Sequence, residues 1–233
     1  MITNLNRFLS ILFWDFRIQF RYYFWTAAIV LSCVWLLLLS ALCEEASAFW
    51  IPVLIFADIS NIGVLFIAGI LYLERRQGTL AAAAVMPLAT GVWLATKLLS
   101  LTALCTLCGL ALVFFNIETV NWWRVIPAII LCSALFTGIG FLIACPIENI
   151  MNYFFAMVFA LGLLNIPIFG YVGIFEHWIM WIIPSYPAML VLAESFQESS
   201  AAAYAIALTV LLGWLILVFY LGIRMLKQLN SHS

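Results

Sequence analysis

The sequence predicts an all-α membrane protein: six transmembrane helices preceded by an amphipathic elbow helix, with both termini cytoplasmic. Three observations carry this. Of 233 residues, 67% are hydrophobic and 8% charged, and mean hydropathy is +1.20, whereas soluble domains average about 45–50% apolar and about 25% charged. The apolar residues gather in six runs, each long enough to cross about 30 Å of hydrocarbon at about 1.5 Å per residue. The runs lack the strict alternation of a barrel strand, so in lipid they must satisfy their backbone groups as helices. Residues 1–233 then form a single transmembrane domain, with no length left for a soluble catalytic one.

Asn4–Arg21 reads as an amphipathic helix lying in the membrane surface. At about 100° per residue, Arg7, Ser10, Arg17 and Arg21 share one arc, while Leu5, Phe8, Leu9, Leu12, Phe16 and Phe20 take the other side. The spans follow at about 23–43, 50–73, 92–115, 125–145, 151–174 and 202–223. The first run is too long for the apolar region of a signal peptide and is read as a retained span. Residues 175–201 form a long external segment between the last two spans.

Orientation comes from the Lys and Arg residues, which are retained on the cytoplasmic side of short loops. Arg7, Arg17 and Arg21 precede the first span, Arg75, Arg76 and Lys97 flank the second connection, and Arg224 and Lys227 follow the sixth span. Arg124 alone falls on the other side, where Glu44, Glu45, Glu118, Glu176, Glu194 and Glu198 lie. Trp50, Trp122, Trp123, Trp178 and Trp181 mark the outer boundary, and Tyr22, Trp25, Tyr72 and Trp93 the inner one. A net charge of -1 argues against nucleic acid, whose phosphates require a concentrated basic face. The six cysteines lie in or beside apolar runs, where thiols behave as small hydrophobes. Cys105 and Cys108 are therefore read as packing residues rather than a redox pair.

The connection between the second and third spans is the most informative stretch. It runs Leu73, Glu74, Arg75, Arg76, Gln77, Gly78, Thr79, Leu80, then alanines to Ala84 and on to Pro87, with Lys97 early in the next span. Gly78 permits a chain reversal, Thr79 caps a short helix and Pro87 ends it. The alternative is a positive-inside loop with no partner.

This pattern resembles the coupling-helix region of ABC-2 type transporter permeases, and the elbow, the six spans and the Pro-containing stretch Ile183–Pro187 extend the resemblance over the whole chain. The resemblance implies a permease that pairs with a second copy, as homodimer or paralogous heterodimer, and docks two ATP-binding subunits. It maps the elbow, with Arg7, Arg17 and Arg21, before the first span, and the coupling helix onto 74–87, with Glu74, Arg75, Arg76, Gly78, Thr79, Leu80 and Pro87 as coupling residues. Closure of the ATP-binding subunits would move that helix and rotate spans one, two and five. Residues Ala81–Ala84 stand where the family commonly has bulkier, charged residues. The chain itself has no Gly-x-x-x-x-Gly-Lys-[Ser/Thr] loop for phosphates, so ATP and Mg²⁺ would be bound by the partner subunit, with no cofactor in this chain and no catalytic role for it.

Polar residues inside spans face a partner, a cavity or another helix. Asp58 and Asn61, about one turn apart, are candidates for the translocation path or dimer seam. The alternative is that Asp58, eight residues or about 12 Å below Trp50, simply reaches water or a neighbouring backbone. Asn165 and Pro167 would break the fifth span, as a gate or as an ordinary kink. Glu148 is a lesser docking candidate, and Asn149 and Asn152 are helix-end caps. With two histidines, His177 and His232, no metal site assembles.

An apolar wall suits a hydrophobic or amphipathic cargo such as a drug-like molecule or lipid. The chain resembles the small drug-exporter permeases of the fluoroquinolone-export type, which implies export across a bacterial or archaeal cytoplasmic membrane. A haem-exporter-type permease is the nearest alternative. A self-sufficient secondary transporter would usually show internal repeats, and a membrane enzyme would need clustered His, Asp, Glu or Ser at one depth.

Overall fold

The computed structural model describes residues 2–41, 44–78, 90–116, 121–173, 178–196 and 201–232. Among these, no residue forms a strand. The elements are α1 (Ile2–Arg21), α2 (Phe24–Ser40), α3 (Glu44–Arg76), α4 (Thr90–Asn116), α5 (Trp122–Ala144), α6 (Ile150–Leu164), α7 (Ile166–Tyr171), a 3-10 turn (Trp178–Ile182), α8 (Ser185–Phe196) and α9 (Ala201–His232). Five stretches are long and apolar enough to cross a membrane: Phe49–Arg76, Gly91–Phe115, Trp122–Ala144, Ile150–Tyr171 and Ala202–Gln228. A sixth counts if the bent pair Phe8–Arg21 and Phe24–Ser40 is taken as one.

α1 and α2 meet at 64°, because Tyr23 turns the chain with a left-handed backbone, φ 61°. That conformation costs a bulky residue energy. The Phe20 and Trp25 rings stack across the bend at 4.8 Å and 3°, and the amide of Tyr22 donates to the carbonyl of Ile18. Three faces share α1. Asp15 and Gln19 are buried against the protein, Leu9, Phe13 and Phe20 are exposed on an apolar side, and Arg17 and Arg21 are exposed between the two. The sequence reading assigned two faces and left Asp15 and Gln19 out of both.

α3 is the axis of the bundle. In its most apolar window 78% of residues are buried, against 17% for the α6–α7 stretch and 22% for α9, so the outer helices present their apolar sides to whatever surrounds the chain. The largest helix interface is α3 on α5. Small residues make it close: a Cβ on Gly140 would lie 2.7 Å from Val64 Cα and Ile67 Cγ2, and one on Gly63 3.0 Å from Phe136 Cβ.

Within residues 175–201, α8 packs into the core of the bundle. Pro187, Ala188, Met189, Val191 and Leu192 are buried, packed on α3, α5 and α9, and Cys132 Sγ donates to the carbonyl of Ala188 at 3.4 Å. Short length and an interrupting Ser–Tyr–Pro start hide such a helix from a hydropathy reading.

Candidate functional site

At one end of the bundle the last turn of α3 and the residue after it carry four consecutive polar side chains, Glu74 to Gln77, which point in different directions. Glu74 is 5% exposed and accepts from Lys97 Nζ of α4, which also bonds Asp15 of α1. Arg75 turns the other way, donating from both terminal nitrogens to the carbonyls of Cys145 and Ile147, where α5 ends. The Cys145 carbonyl caps α5 at the negative end of its dipole, which a guanidinium complements, and the Ile147 carbonyl lies in the turn that follows. Tyr72 joins the same cap, its hydroxyl donating to Ile147 at 2.8 Å, beneath the Arg75 guanidinium at 5.5 Å. Arg76 and Gln77 are exposed, Gln77 Nε2 reaching the Tyr22 hydroxyl at 2.7 Å. Gly78 ends the turn with φ +68° and open space where a Cβ would stand.

Of the residues singled out for coupling, Arg76 and Gly78 thus face outward, while Glu74 and Arg75 tie α3 to its neighbours. Thr79, Leu80 and Pro87 lie outside the described residues. Arg17 and Arg21 stand on the exposed side of α1. The Arg7 side chain lies outside the described residues. Asp15 and Gln19 were missed by the sequence reading. The available signal was their shared i, i+4 position on the side of α1 that Ile11 and Leu12 also occupy.

Asp58 sits inside the bundle, wholly buried, at the α2–α3 seam. Its Oδ2 accepts from the Ser32 hydroxyl at 2.9 Å, and Oδ1 has no hydrogen-bond partner. Asn61 does not join it. It is half-buried and donates back to the carbonyl of Ala57 at 2.8 Å. Asn165 stands at the junction of α6 and α7, donating to Leu161 at 2.7 Å and capping the end of α6, with Pro167 buried in the first turn of α7. Beyond the junction Tyr171 stacks on Phe49 at 4.9 Å, so α7 leans on the N-terminal part of α3. Asn149 caps α6, accepting from Met151 N at 2.9 Å.

Open cavities lie between the spans. An apolar groove of about 510 Å³ lies between α4, α5 and α9, bordered by Leu98, Thr102, Ala134, Gly138 and Phe219. A cleft of about 270 Å³ between α2, α3 and α6 is aromatic, bordered by Tyr22, Tyr23, Phe24, Phe66, Tyr72, Tyr153 and Phe154. Its walls are fixed from behind: Tyr153 donates to the carbonyl of Val64, and Phe24 meets Phe66 edge-on at 5.5 Å. Ring faces of this kind accept planar or cationic organic groups.

Long apolar helices packed on small-residue seams, with lipid-suited faces outside, define a multi-pass helical membrane protein. The fluoroquinolones export permease protein family model matches residues 6–229, and the chain belongs to that family. Two relatives from Mycobacterium tuberculosis strains, the fluoroquinolones export permease proteins MT2761 and Rv2687c, are each 26% identical over 200 residues, covering 84% of this chain and 84% of their own. The chain is accordingly a drug-export-type permease by family, as the sequence reading expected.

Proposed function

We propose that the chain is the membrane subunit of an ABC-2 type exporter, working as a homodimer or paralogous heterodimer with two copies of a separate ATP-binding subunit that binds ATP and Mg²⁺. The family match over residues 6–229 carries this reading. The charge distribution supports it: Arg17, Arg21, Arg75, Arg76, Lys97, Arg224 and Lys227 all lie at or near helix ends on one side of the bundle, whereas Arg124 is at the other, with its guanidinium 5.8 Å from the Tyr204 ring. By the positive-inside rule that side is cytoplasmic, the termini are inside, and α1 lies as an elbow in the inner surface of a bacterial or archaeal cytoplasmic membrane. The exposed Arg76, Gln77 and Gly78 then lead into the docking segment, which includes Thr79, Leu80 and Pro87. Glu74 acts behind it. The cargo is hydrophobic or amphipathic and drug-like, with a planar aromatic part suited to the Tyr22–Tyr153 cleft. The chain moves cargo and performs no covalent chemistry.

The deciding experiment is isolation of the protein from its native membrane, with an ATPase assay and fluoroquinolone uptake into inverted vesicles. Co-isolation of an ATP-binding subunit, with uptake that requires ATP and is lost on replacing Gly78 by Trp, supports the reading. A second reading, a self-sufficient ion-coupled transporter, is favoured by one observation, the unpartnered Asp58 oxygen within a span. Uptake that persists without ATP and follows an ion gradient would select it.

A further inference from the structure

Lys97 lies within salt-bridge distance of two carboxylates and holds both at once. Its partners come from different elements: Glu74, 23 positions earlier, at the end of α3, and Asp15, 82 positions earlier, in α1. Glu74 and Lys97 stand on either flank of the inner connection. Whatever displaces that connection therefore pulls on Lys97, and through Lys97 on α1. The three side chains are between 3% and 5% exposed, so water does not screen the pairs, and parting them would leave buried charge uncompensated. Gln19, one turn beyond Asp15 on the same face, is wholly buried with neither amide atom hydrogen-bonded, so of these two buried polar side chains of α1 Asp15 is the one that is tied.

We propose that Asp15 is a positioning residue, which through Lys97 binds the elbow helix to both flanks of the inner connection so that α1, the end of α3 and the start of α4 move as one body. The role rests on the exporter reading only for its consequence, the transmission of ATP-driven movement; the tie itself is a property of the chain. Asp15→Asn is the clean variant, because it removes one charge and leaves Lys97 paired with Glu74. Asp15→Lys with Lys97→Glu restores the ionic contacts in exchanged positions, since the ammonium then placed on α1 faces both the carboxylate introduced on α4 and Glu74.

The test has two arms. In the first, the permease in lipid nanodiscs, with Cys33 and Cys43 replaced by serine, carries spin labels at Arg17→Cys and Gln77→Cys, and the distance distribution is measured by pulsed electron resonance. The tie predicts a single narrow distribution in the parent, one about twofold broader in Asp15→Asn, and recovery of the narrow one in the exchanged pair. An unchanged width in Asp15→Asn, or an exchanged pair as broad as Asp15→Asn, overturns the proposal. In the second arm the permease with its co-isolated ATP-binding subunit is reconstituted, and cargo moved per ATP hydrolysed is compared. Asp15→Asn is expected to lose about tenfold with basal hydrolysis unchanged, and the exchanged pair to regain it. Parental transport per ATP in Asp15→Asn overturns the transmitting role. Failure of any ATP-binding subunit to co-isolate defeats the exporter reading alone, and the distance measurement still decides the tie.

Discussion

The Ser32 hydroxyl donates to Asp58 Oδ2 across the α2–α3 seam at 2.9 Å, and the second carboxyl oxygen, equally buried, accepts nothing. Burying a carboxyl group there is costly unless it is hydrogen-bonded, and its structural role is to accept the Ser32 hydroxyl. Asp58→Asn keeps that role, and stability should change by less than about 1 kcal/mol. Asp58→Ala leaves the Ser32 hydroxyl without its acceptor and should cost about 1–3 kcal/mol. Thermal unfolding in detergent distinguishes the two. Parental stability with lost export in Asp58→Asn would instead place Asp58 on the cargo path.

Arg75 holds the C-terminal ends of α3 and α5 together by a two-pronged contact on Cys145 and Ile147. A lysine has the charge but not the fork. Arg75→Lys should therefore lose about 1–3 kcal/mol, close to the loss in Arg75→Ala, and hydrogen exchange at the start of α6 should quicken in both. Full protection in Arg75→Lys would mean that charge alone suffices.

Spans two to six were legible because lipid imposes one solution on each long apolar run, and the break at Asn165 because a proline two residues on cannot continue the ladder; the first run appears as the 17-residue α2, which reaches span length only together with the bent α1. The inner charges were legible as a group but not as partners. Nothing in sequence joins Asp15 to Lys97, 82 positions away, and Glu74 reads as an outward coupling residue until α1 is seen lying over it. Arg75 similarly reads as a loop cation, since its acceptors are backbone carbonyls, which have no residue-type signature.

Gly140 marks the closest approach of α3 and α5, with backbone atoms of Val64 2.7 Å and 3.0 Å from where a Cβ would go. Backbone cannot swing aside as a side chain can. Gly140→Ala should cost about 1–3 kcal/mol as α3 and α5 are forced apart. Gly162 and Gly213, also helical, have nothing within 4 Å of a Cβ, so alanine there should be neutral or stabilising by up to about 1 kcal/mol. Chemical-denaturant or thermal midpoints of the three variants test the ordering, and a tolerated Gly140→Ala would show that the seam has slack.

Removing the central cation tests how the buried charges are balanced. Lys97→Met leaves Asp15 and Glu74 buried without their ammonium, and breaking a buried ionic group from one side costs about 3–5 kcal/mol. The loss should show as low accumulation in the membrane and an early thermal transition. Replacing all three charges together, Asp15→Leu, Glu74→Met and Lys97→Met, removes the uncompensated groups as well as the attraction, a change that is commonly neutral or stabilising by about 1–4 kcal/mol. Stability should therefore return in the triple variant. Export should not return with it if the ions transmit movement, because apolar side chains slide past one another where paired charges hold register. A triple variant that is stable and exports normally would show that the α1 seat needs only to be filled, and that its charges are replaceable packing.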